Sequence, residues 1–90
     1  MTCKLMTAYE ILNSSKPYTW VKFPDGSQRA NTNLPDIVLT LEKVNDRWVG
    51  FTNEHEPDDV DVSAKSLVMA KKKMNEWAKD YEVNYYNYSE

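Results

Sequence analysis

The longest regular pattern in the chain lies towards its C-terminal end. Leu67, Ala70, Met74, Trp77, Ala78 and Tyr81 follow one another at spacings of three, four, three, one and three, which gathers them on one helical face. Lys65, Lys72, Glu76 and Lys79 fall largely on the other side, and no glycine or proline interrupts residues 62–90. Asp61 or Ser63 is placed to cap the start by accepting backbone N–H bonds, and Asp59 and Asp61 suit the positive end of the helix dipole. The pattern predicts one long C-terminal helix.

Upstream the period changes to two. Tyr18, Trp20 and Lys22 alternate with Thr19, Val21 and Phe23, the signature of a strand with two distinct faces. Pro24-Asp25-Gly26 supplies a proline-set turn position and a glycine able to take positive φ, so the chain is expected to return through residues 27–31. Residues 31–36 have no periodicity and read as a loop. Residues 37–44 and 47–53 predict a second hairpin joined across Asn45-Asp46, both of which tolerate left-handed backbone. The unbroken apolar run Ile37-Val38-Leu39 marks its first strand as central, and Gly50 in the second marks a bulge or a close approach by another backbone. Residues 54–61 read as a polar loop.

Residues 4–12 fit two patterns. Leu5, Ala8, Tyr9 and Leu12 make a helical stripe, while Leu5, Thr7, Tyr9 and Ile11 alternate as in a strand, and the segment is too short to arbitrate. Asn13-Ser14-Ser15-Lys16-Pro17 ends it either way. The fold class expected is therefore α+β: a small antiparallel sheet of about four strands, in two hairpins, packed against one long C-terminal helix, with an N-terminal element that is helix or strand. At 90 residues the chain suits a single domain, residues 1–90, with residues 83–90 as a flexible or edge-pairing tail.

Composition adds limits. A hydrophobic content of 41% with 12% aromatics suits a folded chain. No run approaches the roughly 20 apolar residues of a membrane helix, so no membrane contact is expected. Lys4 is followed by no apolar stretch of signal-peptide length, and the lone Cys3 cannot form an internal disulfide. Both point to the cytoplasm. An exposed sheet edge leaves a homodimer open.

The net charge of −3 conceals an uneven distribution. Residues 42–61 set seven carboxylates against Lys43 and Arg47, whereas residues 62–81 set five lysines against Glu76 and Asp80. An acidic block directly precedes a basic one. Such blocks are either solvated faces or interaction surfaces.

No combination of residues assigns a reaction. His55, flanked by Glu54 and Glu56, has acid–base chemistry in reach, but nothing in the sequence sets a nucleophile beside it. There is no glycine-rich phosphate loop, nucleophile elbow or Cys-x-x-Cys. The expectation is a protein that is not an enzyme, with no catalytic residues and no cofactor. The oxygen-rich stretch from Glu54 to Asp61 lacks the central glycine and closing glutamate of a calcium loop, and the chain has too few His and Cys for zinc, so no metal is expected.

Two binding chemistries remain. Glu54, Glu56, Asp58, Asp59 and Asp61 are spaced carboxylates of the kind that imitate a phosphate backbone on another protein. Tyr85, Tyr86 and Tyr88 offer rigid contact area with hydroxyls, a side chain favoured at protein interfaces. These eight residues are the partner-binding candidates, and the expected partner is another protein. The alternative is a small nucleic-acid-binding domain using Lys71, Lys72 and Lys73, with Trp20 and Trp48 as stacking platforms. If residues 4–12 are helical, the helix–strands–helix order resembles a double-stranded RNA-binding domain, which reads backbone shape with lysines. The lysine triplet departs from that family by lying about two turns into the predicted helix, and the family's glycine-containing strand loops are missing. Three consecutive helical lysines also point 100° apart. In general look the chain is similar to short open reading frames of bacteriophages and mobile elements: compact, acidic, and rich in asparagine and tyrosine. That similarity implies a protein that binds and inhibits a host protein, such as a defence nuclease.

Overall fold

The Asn45-Asp46 turn sets the frame of the molecule. Both residues take left-handed backbone, with φ of 49° and 67°, the pair of positive φ values that matches a two-residue turn to strand twist. It joins β3 (Val38–Val44) to β4 (Arg47–Thr52), paired antiparallel from Val44 with Arg47 to Leu39 with Thr52. The protein is seen in a computed structural model that describes residues 7–88, with side chains as far as Tyr85. The remaining elements are α1 (Ala8–Asn13), β1 (Val21–Lys22), β2 (Gln28–Asn31), α2 (Pro57–Val60), β5 (Val62–Ala64) and α3 (Leu67–Tyr88). The five strands form one antiparallel meander in the order β1-β2-β3-β4-β5.

The first turn also follows its residue types. Gly26 sits at φ 91°, and Asp25 Oδ1 accepts hydrogen bonds from the Ser27 N–H at 2.9 Å and the Ser27 hydroxyl at 2.7 Å. The alternation across residues 18–23 puts Val21 and Phe23 on one face of the sheet and Tyr18 and Trp20 on the other. Only Val21 and Lys22 make ladder pairs, however, because Tyr18 leaves the extended region at φ 66°.

The main core lies between α3 and the sheet. Ala30, Leu39, Leu41, Val62 and Ala64 meet Ala70, Met74 and Ala78 of α3, with Leu67 and Trp77 at its margin. Alanines four residues to either side of Met74, about one helical turn, let the helix lie close to the strands, and Gly50 completes the fit. A methyl group at Gly50 would overlap the Met74 sulfur and come within 3.1 Å of the Val62 Cβ. The glycine therefore admits a side chain from α3 and marks neither a bulge nor a close backbone approach. On the opposite face Leu12 of α1 joins Val21 and Phe23 in a smaller cluster, and Arg29 lays its guanidinium over the Phe23 ring at 4.6 Å.

Several expectations need correction. The sheet has five strands, where about four were expected, because Val62-Ser63-Ala64 pairs with β4. These three residues precede α3, which starts at Leu67, and Ser66 Oγ accepts from the Met69 N–H at 3.3 Å. Neither Asp61 nor Ser63 is the cap. The ambiguous first segment is helical from Ala8, with Thr7 Oγ1 accepting from the Glu10 N–H at 3.2 Å. Residues 83–88 continue α3 and supply no edge strand. Cys3 and the side chains of Tyr86 and Tyr88 lie outside the described residues.

Candidate functional site

The acidic segment is a built turn. Thr52 Oγ1 accepts the backbone N–H groups of Glu54 and His55 at 3.1 and 2.9 Å, and the His55 carbonyl accepts from the Thr52 N–H at 3.0 Å. Glu56 is extended at φ −70°, ψ 162°, and Pro57 then opens α2 with its φ already suited to a helix. Asp58 and Asp59 occupy the first turn, where the helix dipole favours carboxylates. The single turn stops at Asp61, in left-handed backbone at φ 53°, whose N–H donates to the Pro57 carbonyl at 2.8 Å. Aspartate is one of the few residues that adopts this conformation at low cost.

Two side chains pin the turn to the body of the protein. Val60 is 3% exposed within the main core. His55 packs edge-on against Trp77 and Tyr81, at centroid distances of 5.6 and 5.0 Å, while its Nδ1 lies 2.9 Å from Thr52 Oγ1. Trp77 and Tyr81 are themselves stacked at 5.2 Å. The anchors face inward, so Glu54, Glu56, Asp58, Asp59 and Asp61 all remain exposed.

Two candidate segments some thirty residues apart in sequence meet here. Glu54 and Tyr85 line one hollow of about 140 Å³ with Tyr81 and the loop carrying Leu34, Pro35, Asp36 and Ile37. Tyr85 belongs to the site through its place on α3 one turn beyond Tyr81; their rings lie 6.4 Å apart. Asp36 adds a carboxylate that sequence reasoning did not single out.

Glu82 holds this end of α3 in place, and it too escaped notice. It follows Ala78 by four residues and so extends the buried stripe through Ala70, Met74 and Ala78; it is 8% exposed. Its carboxylate accepts from the Tyr18 hydroxyl at 2.5 Å, the Asn33 N–H at 2.9 Å and the Asn33 side-chain amide at 3.1 Å. Burial pushes the carboxyl upward, but these hydrogen bonds and the nearby Lys79 outweigh it and hold Glu82 below the usual carboxylate range. Burial likewise raises the Tyr18 hydroxyl, reinforced by the hydrogen bond and the charge of Glu82. The i, i+4 continuation of an apolar stripe was the available signal, masked because glutamate reads as a surface residue.

The lysine triplet is divided between two surfaces. Lys73 Nζ donates to the Ser63 carbonyl of β5 at 3.2 Å. Lys71 and Lys72 turn the other way and line a groove of about 470 Å³ beside Trp20, with Lys79, Glu76, Asn75 and Val68. Trp20 donates its indole N–H to Asn75 Oδ1 at 3.2 Å. Trp48 does not line this groove; it lines a separate hollow with Asp25, Glu42 and Lys43.

Among the described residues, no three His, Cys, Asp or Glu side chains converge as metal ligands, and no helix is long and apolar enough to cross a membrane. No protein-family model, curated protein or solved structure matches the chain.

Proposed function

We propose that the protein is a non-enzymatic binding module whose partner is another protein. The contact surface is the acidic turn from Glu54 to Asp61 together with Tyr81 and Tyr85 of α3. The observation that carries this reading is the anchoring of the turn by Val60 and His55. Carboxylates displayed on a fixed turn lose little conformational freedom when bound, which lowers the cost of association. Exposed carboxylates beside tyrosine rings suit a basic partner surface, with charge steering the encounter and aromatic area holding the complex. The similarity in general look to phage reading frames supports a role as inhibitor of a host protein by direct binding.

The test is affinity capture from a nuclease-treated host lysate, repeated with a variant carrying Asp58→Lys, Asp59→Lys and Asp61→Asn. Asparagine at 61 removes the charge and keeps a residue suited to left-handed backbone. A stoichiometric protein held by the native chain and lost by the folded variant supports the reading. Equal retention by both removes the acidic turn from it.

A further inference from the structure

We propose that the groove between α3 and Trp20 is a second binding site, and that its ligand is single-stranded nucleic acid. Val68, Lys71, Lys72, Asn75 and Lys79 make one stripe along α3, and Trp20 forms the facing wall. Three lysines stand against the single carboxylate of Glu76 in this groove, in a chain whose net charge is −3. The local charge is thus opposite to that of the whole molecule and complementary to a phosphate chain.

Aromatic area distinguishes a nucleic acid from other anions. The only polar group of the Trp20 indole is already committed to Asn75 Oδ1, so the ring is held in one orientation and what it offers the groove is π surface and apolar edge. Val68, 76% exposed, extends that apolar surface on the helix side. A base stacks on such a platform only when it is unpaired, whereas phosphates on either side reach for lysines. Lys71 and Lys79 are eight residues apart, about 12 Å along the helix axis, a length that matches a short stretch of strand. The site lies apart from the acidic turn and shares no lining residue with the hollow at Glu54 and Tyr85, so it stands or falls independently of the protein-binding reading.

Fluorescence anisotropy with labelled 20-nucleotide dT and U oligomers tests it, with a 20-base-pair duplex and polyglutamate as competitors. Three phosphate contacts on a single strand give a log–log salt slope near −2, so affinity falls about 16-fold from 50 to 200 mM salt. Trp20→Leu keeps apolar bulk against the core and removes the stacking face; a loss of about 5- to 150-fold is expected. The triple variant Lys71→Ala, Lys72→Ala, Lys79→Ala, in mostly solvent-facing positions, abolishes binding. Because Lys79 also lies near Glu82 and over the Tyr18 ring, the double variant Lys71→Ala, Lys72→Ala, which spares that contact, is measured beside it. The double variant is expected to lose most of the binding with an unchanged urea midpoint. Lys73→Ala, on the β5 side, leaves it within about twofold. The proposal is overturned by absence of binding at 20 mM salt, by duplex or polyglutamate competing as well as unlabelled single strand, or by a triple variant that binds normally.

Discussion

Glu82→Gln removes the charge at the point where α3 is tied to two loops. The native carboxylate takes three hydrogen bonds, from the Tyr18 hydroxyl and from the backbone and side chain of Asn33. Hydrogen bonds to a charged group contribute about 1.5–3 kcal/mol each. The glutamine amide still presents one oxygen, so part of the network survives, but its NH₂ must face one of the three donors. Asn33 is exposed, and water can take over some of its bonds. A net destabilisation of about 2–3 kcal/mol follows from losing one charge-assisted bond and opposing donor to donor. For a domain of this size that lowers Tm by about 8–24 °C. Tyr18→Phe alone, removing one of these charge-assisted bonds, costs about 1.5–3 kcal/mol. In the Glu82→Gln background it should cost less, and the non-additivity measures the pair. Urea denaturation of the four proteins supplies the numbers. A Glu82→Gln midpoint within 0.5 kcal/mol of native, or strict additivity with Tyr18→Phe, refutes the network as a stabilising element.

The same carboxylate predicts a pH dependence. A folded-state value held below the ordinary carboxylate range means stability that is fully present above the unfolded value, about 4.3, and is lost as pH falls through the folded one. The urea midpoint of the native chain should therefore drop below about pH 4 more steeply than that of Glu82→Gln; parallel curves would contradict it. Asp25, lowered by its hydrogen bonds from Ser27, acts in the same direction and is common to both proteins. Gly50→Ala forces a methyl group against the buried Met74 sulfur and Val62 and should cost about 1–3 kcal/mol by the overpacking rule. An unchanged thermal midpoint would mean that α3 has room to move off the sheet.

Much of the fold was legible because its strongest signals are local. The Asn45-Asp46 turn and the flanking apolar runs specify the β3–β4 hairpin, and one stripe of residues specifies the buried face of α3. β5 was not legible for the opposite reason. Val62-Ser63-Ala64 is three residues long, carries no turn signal of its own, and is a strand only because β4 offers it a partner. Read alone, it merges with the helix that follows. The acidic segment looked like an open loop because its charges dominate it, while the residue that fixes it to the core is the single apolar Val60. His55 gave no sign of its packing partners, which come from α3 more than twenty residues later. The meeting of Glu54 with Tyr85 is equally a product of tertiary structure.

The division of the lysine triplet shows how one short run serves several surfaces. Consecutive helical residues point about 100° apart, so a run of three lysines on a helix packed against a sheet cannot form a single patch. Lys73 reaches the outer strand, where its ammonium takes the Ser63 carbonyl. A lysine held at an edge strand blunts the edge as a template for another chain. The other edge strand, β1, is short, with two residues paired to β2. Lys71 and Lys72, turned to the opposite side of α3, are then the members of the triplet left to meet a ligand. They line the groove beside Trp20, on a wall that the turn at Asp58 and Asp59 does not reach. The acidic and basic blocks that adjoin in sequence are therefore separate surfaces in the fold, each able to be altered without changing the other.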